Sequence, residues 1–122
     1  MSVSPNISEH HSVPAPPLNL DVSMPELTRA LLDYESVSGN EQLIADAVHT
    51  ALSFCPHLHL TRDGDAIIAR TEFPPPPGAK GERTRIILAG HLDTVPLPTV
   101  EGSLGTVPST VREEEDGYVL YG

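Results

Sequence analysis

An uninterrupted run of apolar and small residues, 86–90 (IILAG), constrains the possible fold more than any other feature of this chain. Because the run does not alternate apolar and polar residues, it is typical of a strand that is buried on both faces of an α/β sheet. Such a strand needs neighbouring strands on its edges and helices that cover the sheet. The sequence therefore predicts an α/β fold, with helices packed on a sheet around residues 86–90.

The segments before this run predict two amphipathic helices. Ser23 and Glu26 have the spacing of a capping box, and apolar side chains follow them at helical intervals. Ser38 and Glu41 have the same spacing, and the apolar stripe after them ends near Phe54. Two consecutive capped stripes indicate two consecutive helices.

A change of period after the helices predicts a β-hairpin. Residues 57–62 alternate apolar and polar side chains, and residues 66–71 are typical of a return strand. The intervening Asp63, Gly64 and Asp65 are common hairpin-turn residues.

The remaining segments carry weaker signals. Residues 1–22 are rich in proline and lack an apolar period, so we expect a disordered tail there. The four prolines at 74–77 predict an exposed, stiff loop. Residues 95–116 contain many Pro, Gly and Thr residues and predict a loop, and residues 118–121 predict one more strand.

Composition excludes several classes of function. With 17 acidic and 7 basic residues the formal net charge is −10, which argues against nucleic acid or an anionic membrane as a partner. The single cysteine excludes an internal disulfide framework and a cysteine zinc cluster. We find no secretory signal and no apolar run near the ~18 residues of a membrane span. The expectation is a soluble, cytoplasmic protein.

The candidate chemistry follows directly after the apolar run. His91 and Asp93 are two residues apart, so in extended backbone both side chains point to the same side. The imidazole of His91 could then bind a metal while the carboxylate of Asp93 orients the ring. A three-residue pattern is weak by itself, and a pair of turn or capping residues is the alternative. Its place at the carboxyl end of a predicted strand favours a ligand site.

Four segments together carry a family resemblance. Residues 90–96 (GHLDTVP) resemble the first metal-binding motif of the zinc-dependent exopeptidase and deacylase family. Residues 31–41 (LLDYESVSGNE) resemble the family's first helix and the turn into its second. Residues 61–71 (TRDGDAIIART) resemble the hairpin before the metal strand, and residues 116–122 (DGYVLYG) resemble the strand before the second motif.

The resemblance implies roles for two residues. His91 matches the ligand of one zinc ion, and Asp93 matches the catalytic aspartate that orients this histidine. A complete site of the family holds two Zn²⁺ ions, for which Co²⁺ is a possible substitute. The family's bridging aspartate, its paired glutamates and its later ligands have no counterpart in this sequence. We therefore expect the isolated chain to be inactive.

The resemblance also implies a domain organisation. Residues 23–122 correspond to the N-terminal portion of the family's catalytic domain, cut before the bridging aspartate. The family's lid domain, through which its members form homodimers, is absent from these residues. On this basis the chain is expected to be an incomplete part of a zinc-exopeptidase-like α/β domain, homodimeric when full length.

The function implied by the resemblance is metal-dependent amide hydrolysis of a small N-acyl amino acid. Within the family the quoted segments are most similar to an actinobacterial type that removes succinate from N-succinyl-LL-2,6-diaminopimelate in lysine and diaminopimelate biosynthesis. Two alternatives stay open. The chain could derive from a related deacylase or dipeptidase with the same metal site, or it could be a non-catalytic truncated remnant.

Overall fold

The computed structural model describes residues 16–81, 83–103 and 107–122. Two helices are followed by four strands: α1 (Met24–Leu32), α2 (Gln42–Ser53), β1 (Leu58–Asp63), β2 (Ala66–Thr71), β3 (Thr110–Glu114) and β4 (Gly117–Tyr121). The strands form two separate antiparallel sheets, one of β1 with β2 and one of β3 with β4. The predicted combination of helices and strands is confirmed.

Helix α1 begins with the capping box that the sequence predicts. The hydroxyl of Ser23 accepts the backbone N–H of Glu26 at 3.4 Å, and the Glu26 carboxylate accepts the backbone N–H of Ser23 at 3.2 Å. Pro25 lies in the first turn of the helix, where a backbone N–H would have no acceptor within the helix, so the N–H that proline lacks is not needed there. Two donors that an uncapped helix leaves free are therefore satisfied.

The capping box predicted for the second helix is wrong. Helix α2 begins at Gln42, and its N-cap Glu41 makes no side-chain capping bond. The Glu41 carboxylate instead accepts the backbone N–H of Gly39, which turns the chain with a φ of 90°. Ser38 lies before this turn and donates its backbone N–H to the carbonyl of Thr94. Because its backbone is bonded to Thr94, Ser38 does not lie at the start of α2.

The predicted hairpin is confirmed and packs against α2. Asp63 pairs with Ala66, which leaves a two-residue turn at Gly64 and Asp65. The guanidinium of Arg62 donates to the carbonyl of Gly64 and lies 2.6 Å from the carboxylate of Asp46 on α2. This one side chain links the turn, the strand and the helix.

The core is small. Among the described residues the buried apolar side chains are Tyr34, Ile44, Ala45 and Ala51. Three of these four lie on α2, and Tyr34 follows α1. The buried apolar side chains therefore lie mainly on α2, and most side chains of the strands are exposed.

The central strand predicted at residues 86–90 is wrong for this structure. These residues lie outside the strands, and the side chains of Ile86, Ile87 and Leu88 are 83%, 80% and 94% exposed. The physical reason is the lack of a partner, because each strand of the described ranges pairs within its own hairpin. A mixed sheet is likewise not formed in this part of the chain; its parallel pairing is a single bridge between Val37 and Thr94.

The loop predicted at residues 95–116 is wrong in part, because β3 occupies Thr110–Glu114 and pairs with β4. Each residue of β3 is exposed, so no alternating apolar pattern marks it in the sequence. The predicted last strand is confirmed and begins one residue earlier, at Gly117. The carboxylate of Asp33 accepts the backbone N–H of Ser109 at 2.6 Å, which ties this hairpin to the end of α1.

The predicted tail falls largely outside the described residues, which begin at position 16. Within the described part of that tail, the carbonyl of Pro16 accepts a hydrogen bond from the hydroxyl of Tyr34. Over the ranges that the structure describes, no helix has the length and apolar character needed to cross a membrane.

Candidate metal-binding site

The structure brings the two predicted site residues together. Nδ1 of His91 lies 3.2 Å from a carboxylate oxygen of Asp93 and 2.8 Å from the backbone carbonyl oxygen of the same residue. A proton on Nδ1 can be donated to both oxygens, which leaves the lone pair of a neutral imidazole on Nε2. This arrangement orients the ring and leaves Nε2 as the nitrogen with a lone pair available to a metal.

The pair lies at the surface. The side chain of His91 is 85% exposed and that of Asp93 is 41% exposed. At this exposure water screens the interaction, and an ion pair of this kind contributes little to stability. The consequence of the contact is therefore the orientation of the imidazole.

Thr94 fixes the position of the pair relative to the rest of the fold. Its backbone N–H donates to the carbonyl of Ser36 at 2.8 Å, and its carbonyl accepts the N–H of Ser38 at 3.0 Å. Ser36 is buried in the segment between α1 and α2. The segment after the candidate ligand is thus anchored by backbone hydrogen bonds, whereas residues 86–90 before it pair with no strand of the described ranges.

A cavity of about 660 Å³ lies beside the pair, between α1 and residues 91–98. Its wall is largely apolar and includes Leu31, Leu32, Ile44 and Leu97. Among the residues that the structure describes, no Lys or Arg lines this cavity. Of the described lining residues, His91 is therefore the one side chain that could carry a positive charge toward a ligand with several carboxylates.

The described residues do not complete a metal centre. Across the described ranges, no group of three or more His, Cys, Asp or Glu residues is placed to hold a metal ion. A catalytic zinc needs about three protein ligands and an open position for water. The chemistry of His91 and Asp93 fits one ligand with its orienting carboxylate, and a complete metal centre would need further ligands.

Sequence reasoning missed the contribution of Thr94 and Ser36. Both act through backbone groups, and the two segments they join are far apart in the chain. A parallel bridge between distant segments leaves no local pattern of side chains. The one sequence feature that could have indicated the role of Thr94 is its position directly after the predicted pair.

Comparisons with known proteins give a consistent set of relatives. The chain is 40% identical over 92 residues to the proteins of two Mycobacterium tuberculosis strains that carry the name succinyl-diaminopimelate desuccinylase DapE, an overlap of 75% of this chain and 22% of each relative. It is 37% identical over 98 residues to the succinyl-diaminopimelate desuccinylase of Corynebacterium glutamicum, an overlap of 79% of this chain and 22% of that protein.

The matches cover most of this chain but only a small part of each relative. The chain spans about a fifth of the length of these relatives. No protein-family model matches the chain, and no solved structure matches it. Over about three quarters of its own length, this chain is homologous to a portion of the succinyl-diaminopimelate desuccinylases, which confirms the resemblance to that group of deacylases.

Proposed function

We propose that this chain contributes part of the active site of a metal-dependent amide hydrolase that removes succinate from N-succinyl-LL-2,6-diaminopimelate. The observation that carries the proposal is the 37–40% identity to proteins named as desuccinylases. The reaction belongs to lysine and diaminopimelate biosynthesis, and the enzyme would act in the cytoplasm on this small molecule.

In this proposal His91 is one of the metal ligands and Asp93 is the residue that orients it. Nε2 of His91 would hold the ion, since Nδ1 faces the two oxygens of Asp93. The chemistry that zinc supplies when bound is Lewis-acid activation of an amide carbonyl, and Co²⁺ is the proposed substitute. Thr94 holds this segment against the turn between the two helices.

The remaining parts of the site would come from outside the described residues. A two-metal site needs a bridging group and further ligands, and one histidine with one aspartate does not supply them. In the described part of the chain, no Lys or Arg lines the cavity beside the pair to meet the carboxylates of a succinylated diamino acid. We therefore propose that the isolated chain is inactive and that substrate recognition lies elsewhere.

The complete protein would have a zinc-exopeptidase-like fold and would form homodimers through its lid domain. Helices α1 and α2 and the first hairpin are the elements of that fold that this chain contains. Residues 86–90 would be its central strand once neighbouring strands are present. The exposure of their side chains supports this, because an apolar strand without neighbours leaves a large surface to cover.

A chimera tests the proposal. In the Corynebacterium glutamicum relative, the matched segment is replaced by the corresponding residues of this chain, and zinc-dependent release of succinate from N-succinyl-diaminopimelate is measured. We expect an active chimera. His91→Gln should lower kcat/KM by at least ~100-fold, since even residues that only orient a ligand are worth about 10–100-fold.

The matched control is His59→Gln, which changes an exposed histidine on β1 and should leave the rate unchanged. Retention of activity by the His91→Gln chimera would contradict the ligand assignment. A folded chimera that hydrolyses other N-acyl amino acids or dipeptides, but not the succinylated substrate, would favour a related deacylase or dipeptidase. A folded chimera without any hydrolase activity would favour the non-catalytic remnant.

A further inference from the structure

We propose that Glu41 is a positioning residue for the candidate metal ligand His91, and that it acts through the turn at residues 37–40 and the backbone of Thr94. The inference rests on the proposed function, because it assigns Glu41 a role in the same metal site. Glu41 is not itself a metal ligand in this proposal. Its carboxylate fixes the turn on which the segment after His91 is held.

The side chain of Glu41 completes a tight turn. The backbone N–H of Asn40 donates to the carbonyl of Val37 at 2.8 Å, and Gly39 has a φ of 90°. These features are typical of a type II β-turn, whose third residue needs a positive φ. The carboxylate of Glu41 accepts the backbone N–H of Gly39 at 2.8 Å. It therefore holds the peptide group of Gly39 in the orientation that this turn requires.

The backbone of Glu41 joins the same turn to the buried part of α2. Its carbonyl accepts the backbone N–H of Ala45 at 3.0 Å. Ala45 is fully buried, and the neighbouring Ile44 is also buried. The side chain of Glu41 makes no capping bond to the helix, so its hydrogen bond to Gly39 connects the turn with a packed element.

The turn in its place holds the segment that carries the candidate pair. The N–H of Ser38 donates to the carbonyl of Thr94 at 3.0 Å, and the N–H of Thr94 donates to the carbonyl of the buried Ser36 at 2.8 Å. Asp93 directly precedes Thr94, and its two oxygens lie 3.2 Å and 2.8 Å from Nδ1 of His91. Because each step is a hydrogen bond or a peptide bond, loosening the turn should leave the imidazole less well oriented.

Zinc affinity of the chimera described above tests this role, measured by competition with a chromophoric chelator. Glu41→Ala removes the acceptor and should weaken zinc binding by about 10-fold, the low end of the effect of residues that orient a ligand, since Glu41 acts at one remove. Glu41→Gln keeps an oxygen that can accept the same N–H and should restore most of the affinity.

The matched control is Asn40→Ala. Asn40 is exposed and adjacent to Glu41, and its hydrogen bond to Val37 is made by the backbone, which the substitution retains. The zinc affinity of this chimera should equal that of the unmodified chimera. Circular dichroism checks that each variant is folded.

Gly39→Ala provides a second way to perturb the turn. No atom lies within 4 Å of the Cβ that it adds, so the substitution acts through the strained φ alone. It should weaken zinc binding in the same direction as Glu41→Ala. An unchanged affinity would contradict the role of the turn.

Hydrogen exchange in the 122-residue chain gives a readout that needs neither metal nor activity. In Glu41→Ala the amides of Ser38 and Thr94 should exchange faster, while the amides of β1 and β2 keep their rates. A general loss of stability would instead accelerate exchange in all these elements together. Unchanged exchange at Ser38 and Thr94 would overturn the inference.

The remaining outcomes separate this inference from the proposed function. Equal zinc affinities of the Glu41→Ala and Asn40→Ala chimeras would overturn the inference and leave the proposed function standing. Equal losses in Glu41→Gln and Glu41→Ala would also overturn it, because the charge and not the hydrogen-bond acceptor would then be responsible. An unmodified chimera that binds no zinc would contradict the proposed function, and this inference with it.

Discussion

The first hairpin with its helix and the segment around the candidate site differ in how they are held in place. Helix α2 packs on β1 and β2, and Arg62 joins the turn of the hairpin to Asp46 of the helix. Residues 86–90 have no such support, and the pair that follows them is anchored through Thr94. The first region finds its partners nearby in the chain. The second needs strands that the described residues do not provide.

Apolar character alone does not make a central strand. Closing a long loop costs more conformational entropy than closing a short one, and the cost is recovered only when non-local contacts form. In each hairpin the two strands are close in the chain, so the contacts that recover this cost form after a short loop. Residues 86–90 have no strand to pair with in the described ranges. The site residues consequently lie at the boundary between a supported and an unsupported segment.

The largest effect is expected in the supported region. Ile44→Ala removes a side chain that is buried on α2 and should lower the free energy of unfolding by about 2–5 kcal/mol. Leu43→Ala is the matched control, because Leu43 is exposed on the same helix, and its effect should stay within about 0.5 kcal/mol. Urea unfolding followed by circular dichroism measures both values, and equal losses would show that α2 does not carry the core.

The next largest effect concerns the anchor of the site. Thr94→Pro removes the N–H that the carbonyl of Ser36 accepts and should destabilise the fold by about 1–3 kcal/mol. The control is Val95→Pro, because the N–H of Val95 has no hydrogen-bond partner within the described ranges. Thermal unfolding compares the two variants. A larger loss for Val95→Pro would contradict the anchoring role of Thr94.

A smaller effect on stability is expected to distinguish Ser23, whose capping box forms, from Ser38, whose predicted capping box does not. Ser23→Ala should cost about 1 kcal/mol, because the hydroxyl of Ser23 caps the N–H of Glu26. Ser38→Ala should cost less than about 0.5 kcal/mol, because Ser38 makes its contact with Thr94 through its backbone. The difference in urea midpoints is the measurement, and a reversed order would contradict the assignment of Ser23 as the serine whose side chain caps a helix.

The smallest effect is confined to alkaline pH. Burial raises the pKa of the Tyr34 hydroxyl above its ordinary value of 10.0. The unfolded chain therefore ionises first, so stability is fully present below pH 10 and falls as the pH rises toward the pKa of the folded state. Tyr34→Phe should remove this part of the pH dependence. Identical curves for the two proteins above pH 10 would contradict it.

Local patterns predicted the supported region well and the site only in part. The Ser23 capping box and the turn at Gly64 depend on residues that are close in sequence, and both form as expected. The spacing of His91 and Asp93 similarly accounts for the contact between their side chains.

The failures share a non-local cause. Ser38 has the right spacing for a cap, but its backbone pairs with Thr94, which lies far along the chain. Strand β3 has no buried face and hence no apolar alternation by which it could be found. Residues 86–90 carry a strong pattern whose meaning depends on neighbours, and a pattern cannot show whether those neighbours are present.

The most direct test of the central claim is the zinc content of the chimera described above, measured by mass spectrometry of the purified protein after dialysis. If His91 is a ligand in a two-metal site, the His91→Gln chimera should retain about one zinc ion where the His59→Gln control retains about two. Equal zinc contents in the two variants would contradict the claim that His91 binds the metal.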